Sequence, residues 1–165
     1  MRLVEIPPEA MRALVEGDLD RASTLAGTPL SPFLASDECT WLWRVRLEQC
    51  ERDPASRRWV ARAAVAEPDG PVVGHAGFHG PPDEAGRVEI GYTVDPAFRR
   101  RGYARAMVRA LLAWAGAEER VTRVRASISP DNEASLATIR GFGFEKTGAQ
   151  WDEEDGLEIL FEVPV

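Results

Sequence analysis

The stretch that decides the fold is Val88-Glu89-Ile90-Gly91-Tyr92-Thr93-Val94, followed by Arg99-Arg100-Arg101-Gly102-Tyr103-Ala104. The first segment alternates in the manner of a half-buried strand, and Asp95-Pro96 closes it. Beyond the glycine, Ala104, Met107, Val108, Leu111, Leu112 and Ala115 recur at the spacing of one helical stripe. A strand thus delivers a glycine turn and a helix start. Five arginines (99, 100, 101, 105 and 109) fall here with no acidic residue among them, in a chain whose formal net charge is -7. N–H groups of a first helical turn lack intrahelical acceptors, and the helix dipole adds positive potential. The junction is therefore an anion cradle, suited to a phosphate ester.

The 165 residues fit one domain with a sizeable core, and 44% hydrophobic with 28% charged residues is ordinary for a globular protein. The first residues lack the apolar run of a secretory signal, and no apolar run approaches the roughly 20 residues of a membrane helix. The expectation is a cytoplasmic protein with no membrane partner. An acidic balance argues against a nucleic-acid partner, whose basic footprint is larger than one helix start, and leans toward a cationic substrate. Cys39 and Cys50 fall on one predicted helix about 16 Å apart, too far for a disulfide, and read as reduced core cysteines.

Leu3 to Ile6 reads as a short strand. Helices are predicted from Pro7-Pro8 to about Glu16, from Gly17-Asp18 to about Leu25, and from an N-cap at Ser36 to Asp53-Pro54. In the last, Cys39, Trp43, Leu47 and Cys50 share a face, and Trp41 and Val45 lie on a second. Trp59 to Glu67, Val72 to His79 and Val88 to Val94 read as strands. The helix from Ala104 precedes a strand from Arg123 to Ser129, a helix from Asn132 to about Arg140, and a closing hairpin of Glu145 to Trp151 with Leu157 to Val163. The fold class is α/β: a mixed twisted sheet with helices on both faces, the unit from Val88 to Ser129 parallel with a right-handed crossover.

Two separated motifs carry a resemblance to the GNAT superfamily of acyl-CoA N-acetyltransferases. Arg99-x-x-Gly102-x-Ala104 resembles its Arg/Gln-x-x-Gly-x-Gly/Ala signature. Asn132-x-x-Ser135-x-x-x-Ile139-x-x-x-Gly143-Phe144 resembles its Asn-x-x-Ala/Ser helix ending in Gly-Phe. Residues 59 to 165 match in element order, and residues 1 to 58 are where the superfamily builds its acceptor pocket. The pattern is similar above all to the branch of ribosomal-protein N-terminal acetyltransferases. The resemblance implies acetyl-CoA as co-substrate, no metal, and a small-molecule amine or a protein N-terminus as acceptor, with direct attack in a ternary complex. It places the coenzyme pyrophosphate on N–H groups of Arg100, Arg101, Gly102, Tyr103 and Ala104, next to Arg99. Arg105 and Arg109, a turn apart, are placed near the ribose 3′-phosphate, though Arg109 reads better as a solvated helix face. Pantetheine is placed along Thr93 and Val94, with the thioester carbonyl at the Val94 N–H, and Asn132 on the pantetheine amides or as an N-cap. A non-catalytic acyl-CoA sensor is the alternative.

Acetyl transfer needs a neutral amine, and a lysine-like amine is about one part in a thousand neutral at pH 7. Glu89 is the leading base: it shares a strand face with Gly91 and Thr93, and Gly91 would leave space for an acceptor. The competing role is a strand carboxylate paired with an arginine. The departing thiolate needs a proton. The superfamily's tyrosine position is occupied here by Ile139, which leaves Ser135, a poor acid. Tyr92 should point away from Glu89 and Tyr103 belongs to the phosphate loop. His79 is a back-up base, better read as a solvated hairpin residue. His75 and His79 are about 13 Å apart along a strand and cannot share a metal. Trp41 could face an acceptor groove, and the acidic turn Asp152 to Asp155 could border it.

Overall fold

The computed structural model describes residues 1–68, 70–153 and 156–165. Seven strands form one sheet: β1 (Arg2–Glu5), β2 (Arg62–Val65), β3 (Val72–Phe78), β4 (Arg87–Val94), β5 (Arg123–Ile128), β6 (Glu145–Asp152) and β7 (Gly156–Pro164), in the order β1-β2-β3-β4-β5-β7-β6. All neighbours are antiparallel except β4 and β5, joined by the crossover helix α4. Helices α1 (Pro8–Val15), α2 (Leu19–Ala26) and α3 (Asp37–Arg52) cover one face, and α4 (Tyr103–Gly116) and α5 (Glu133–Ile139) the other. The fold class is the one expected from the sequence.

Each helix starts where local chemistry stops the preceding chain. Pro7-Pro8 opens α1, the Asp18 carboxylate accepts the Arg21 N–H at 3.0 Å, and Asn132 accepts that of Ser135 at 3.0 Å. Ser36 precedes α3 as expected, but its hydroxyl donates backward to the Phe33 carbonyl at 2.6 Å instead of capping the helix. Cys39, Trp43 and Cys50 are buried on one α3 face, and the Trp43 indole donates to the Leu34 carbonyl at 2.6 Å.

One predicted strand is shorter than expected. Trp59 follows the 3-10 turn Pro54–Arg58, and β2 spans only Arg62–Val65. Trp59 owes its burial to stacking on Trp114, with ring centroids 6.1 Å apart, not to strand alternation. Strand β3 is buried throughout, packed by helices on both sides. Its register against β2 shifts between Val72 and His75, around Gly74. Gly74 has φ +147°, and a Cβ there would lie 2.0 Å from the Thr93 carbonyl oxygen, so only glycine fits. The extra residue sends Val73, Ala76 and Phe78 into the core under α4, while His75, against Trp43, and then His79 fall on the α3 side.

Candidate active site

Strands β4 and β5 pair only through Arg87 with Arg123, Val88 with Val124 and Glu89 with Arg125, and then part. The β3 register turns alternate β4 peptides toward β3: the Glu89 carbonyl accepts the His79 N–H, and the Asp95 N–H donates to Val73, both near 2.9 Å. By that alternation Thr93 directs its peptide groups to β3, whereas Tyr92 and Val94 direct theirs into the gap. The Tyr92 and Val94 N–H groups face the cleft accordingly, and Thr93 is among the residues that line it. The Val94 carbonyl accepts Arg99 Nε at 3.2 Å.

The gap opens into a cleft of about 590 Å³ between the end of β4, the arginine loop and α5. Thr93, Val94, Arg99, Arg100, Gly102, Tyr103, Ala104, Arg105, Asn132 and Ser135 all line it. Arg100 (φ +62°) and Gly102 (φ +82°) are both left-handed, and the first regular helical bond runs from the Ala106 N–H to the Gly102 carbonyl. The N–H groups of Tyr103, Ala104 and Arg105 therefore have no helical acceptor, and alternating handedness folds such a loop into a concave anion nest.

Two arginine side chains of this segment are engaged by protein groups. Arg101 is absent from the cleft lining, its guanidinium lying 5.6 Å from the Phe98 ring centroid. Arg105 reaches the cleft, but its Nη1 donates to the Thr138 and Arg140 carbonyls at 3.0 and 2.8 Å, and it lies over Phe142. Its charge ties α5 to α4 while its side chain still lines the cleft. Arg109 also lies near Phe142, 5.9 Å from the ring centroid.

Glu89 is on the opposite face of β4 from Ser135. It lines a smaller cavity of about 280 Å³ with His79, Pro81, Asp83, Arg87 and Arg125. Arg125, directly across from Glu89, turns instead to the buried Glu162 at 2.7 Å, and Arg87 bridges Asp83 and Glu162 at 2.7 and 3.2 Å. The recorded ionic neighbour of Glu89 is His79, with Nδ1 3.4 Å from Oε1.

The space above Gly91 is not open. A Cβ there would lie 2.9 Å from His79 Nε2. Arg46 and Gln49 of α3 fix His79 by donating to its carbonyl at 3.0 and 2.7 Å. Crowding by protein, and then the Arg46 charge, push its pKa down to about 4. It is neutral at pH 7. A hairpin histidine is thus held over Gly91 beside Glu89, and the signal that finds it is strand register, not local sequence.

Burial pushes the Cys39 thiol up to about 11 and raises that of Cys50, so neither is an activated nucleophile. Among the described residues no cluster could hold a metal, and no helix is long and apolar enough to cross a membrane. Trp41 is exposed. In the acidic turn, Glu154 and Asp155 lie outside the described residues.

Residues 9–145 match the family model of the GNAT acetyltransferase domain. The chain belongs to the GNAT family. Within the family it is 40% identical, over 73 residues, to the uncharacterized N-acetyltransferase YjdG of Bacillus subtilis, covering 44% of each chain. The match spans less than half the length of that curated relative. Among GNAT structures it resembles the F149A mutant of spermidine N-acetyltransferase SpeG from Vibrio cholerae, with TM-score 0.67 and 12% identity over 99% of this chain and 95% of that one. It also resembles the microcin C7 self-immunity acetyltransferase MccE, in complex with acetyl-CoA and AMP, with TM-score 0.65 and 13% identity over 99% and 91%. At such identities these structures establish the fold.

Proposed function

We propose that this chain transfers an acetyl group from acetyl-CoA to a primary amine by direct attack in a ternary complex. The observation that carries this is the β4–β5 split, which opens into a cleft bearing an anion nest and a hydroxyl-bearing helix. The opposite face of β4 carries a neutral histidine beside a carboxylate. Family membership supports the coenzyme, and the likeness to spermidine and microcin acetyltransferases supports an amine acceptor.

Acetyl-CoA supplies the activated acetyl thioester. The nest from Arg100 to Ala104, with Arg99 beside it, binds the pyrophosphate, and the Val94 N–H with the Asn132 side-chain amide orients the pantetheine arm. The strand N–H at the thioester stabilises charge that develops on the carbonyl oxygen. Glu89 lies beside His79 Nδ1 and favours the tautomer that carries its proton there, leaving Nε2 over Gly91 as the acceptor for the amine proton. Ser135 serves the sulfur. With both cysteines buried and protonated, the chain forms no acyl-enzyme.

The test is thiol release from acetyl-CoA across a panel of polyamines, small amines and peptides with varied N-terminal residues. Turnover with at least one class is expected. Tight coenzyme binding without turnover across the panel would replace this reading with that of an acyl-CoA sensor.

A further inference from the structure

The transfer reaction leaves a thiolate, and Ser135 alone is a weak source of a proton. Ile139, at the position where the family resemblance expects a tyrosine, is buried in the core under α4 and bears no hydroxyl. A phenol approaches from the other wall instead. Tyr92 of β4 points to the α5 side, lines the cleft, and has its hydroxyl buried with no regular hydrogen bond. That hydroxyl faces the side chains of Ser135 and Thr138. Thr138 already donates its own proton to the Ala134 carbonyl at 2.8 Å. Ser135 is therefore the hydroxyl able to accept a proton from Tyr92 and pass one on.

A buried hydroxyl left without a partner is costly, and tyrosine hydroxyls in protein interiors ordinarily find one. Phenylalanine would fill the same volume without that penalty. A phenol held in the cleft wall beside a cleft-lining serine, without a bond of regular geometry, is placed to hand that serine a proton.

We propose that Tyr92 is the proton reserve of this site, acting through Ser135 on the sulfur that departs. The inference rests on the acetyl-transfer reading above. As the amine nitrogen bonds to the acetyl carbon, the carbon–sulfur bond breaks and its electron pair stays on sulfur. Ser135 gives its hydroxyl proton to that sulfur and takes the Tyr92 proton in return. The Tyr92 phenolate then regains a proton from solvent, balanced by the one the amine loses to His79. Burial raises the Tyr92 pKa while Ser135 and Thr138 lower it, so the phenol holds its proton at neutral pH until sulfur demands it. Tyr92 is a positioning residue and Ser135 touches the reacting atoms.

The test compares wild type, Tyr92→Phe, Ser135→Ala and the double variant. Tyr92→Phe should lower kcat at least tenfold with an unchanged KM for acetyl-CoA and a melting temperature equal to or above wild type. The double variant should lose no more than the worse single one. Coenzyme A should bind wild type several-fold more tightly than desulfo-coenzyme A, and in Tyr92→Phe that preference should fall below twofold. A variant that loses activity and melting temperature together shows a structural tyrosine and overturns the proposal. So does an unchanged kcat in a wild type that turns over, or an unchanged preference for the thiol. If neither protein takes up coenzyme A, the acetyl-transfer reading fails and takes this one with it.

Discussion

Gly102→Ala separates the cost to the fold from the cost to the site. Gly102 sits at φ +82°, and an added Cβ meets no protein atom within 4 Å. The substitution therefore carries no internal clash, only the left-handed penalty of about 1–2 kcal/mol. In a domain of this size about 1 kcal/mol lowers the melting temperature by roughly 2–4 °C, leaving folded protein at room temperature. The open space belongs to the cleft and lies beside the helix start. A methyl group there holds a phosphate away from the nest. Losing one hydrogen bond to a charged group, at about 1.5–3 kcal/mol, weakens coenzyme A binding about 10- to 100-fold. Calorimetric titration with coenzyme A reads the second effect and a thermal melt the first. Gly116→Ala is the control: it lies at the far end of the same helix, also with nothing within 4 Å, and is not left-handed. If Gly102→Ala melts a few degrees lower yet binds coenzyme A within twofold of wild type, the anion nest is not where the coenzyme binds.

Two further outcomes follow from the histidines. Glu89→Gln and His79→Ala should each lower kcat by about 10²-fold or more while leaving coenzyme A affinity unchanged, because both lie on the far face of β4 from the nest; thiol release and calorimetry on the same samples check this, and an equal loss of coenzyme affinity contradicts the placement. His75 is 8% exposed, and burial, then Arg46, push its pKa from 6.5 down to about 4. Below pH 6.5 the unfolded chain takes up a proton that the folded chain refuses, so stability falls as pH drops from about 6.5 to about 4. At 1.36 kcal/mol per pH unit the loss approaches about 3 kcal/mol. Urea unfolding across that window should show the slope; His75→Gln should remove its share and leave that of His79, whose pKa is also pushed down to about 4, and a slope that His75→Gln does not reduce places the acid sensitivity elsewhere.

The strand, loop and helix from Val88 to Ala115 were legible in the sequence because their signals are local: alternation, a glycine that must be left-handed, and an apolar stripe. So was the Asn132 cap. The misread residues depend on contacts distant in sequence. Trp59 resembles a strand residue until Trp114 and Phe78 come to pack on it. The bonds of Arg105 to the carbonyls at the end of α5 form only across a long stretch of chain. The space above Gly91 is open along the sequence and closed in the fold, because β3–β4 register places His79 there. The Tyr92 hydroxyl likewise meets Ser135 and Thr138 only once α5 has docked.

The narrow join between β4 and β5 has a consequence for how the molecule responds to ligand. Three residue pairs hold a four-stranded half to a three-stranded half, and beyond them one flank of β4 has no neighbouring strand. A ligand arm laid along that flank lengthens the join like an added rung. The halves are then bridged by a small molecule as well as by peptide, so the ligand that is consumed also acts, for as long as it stays, as a splice in the sheet.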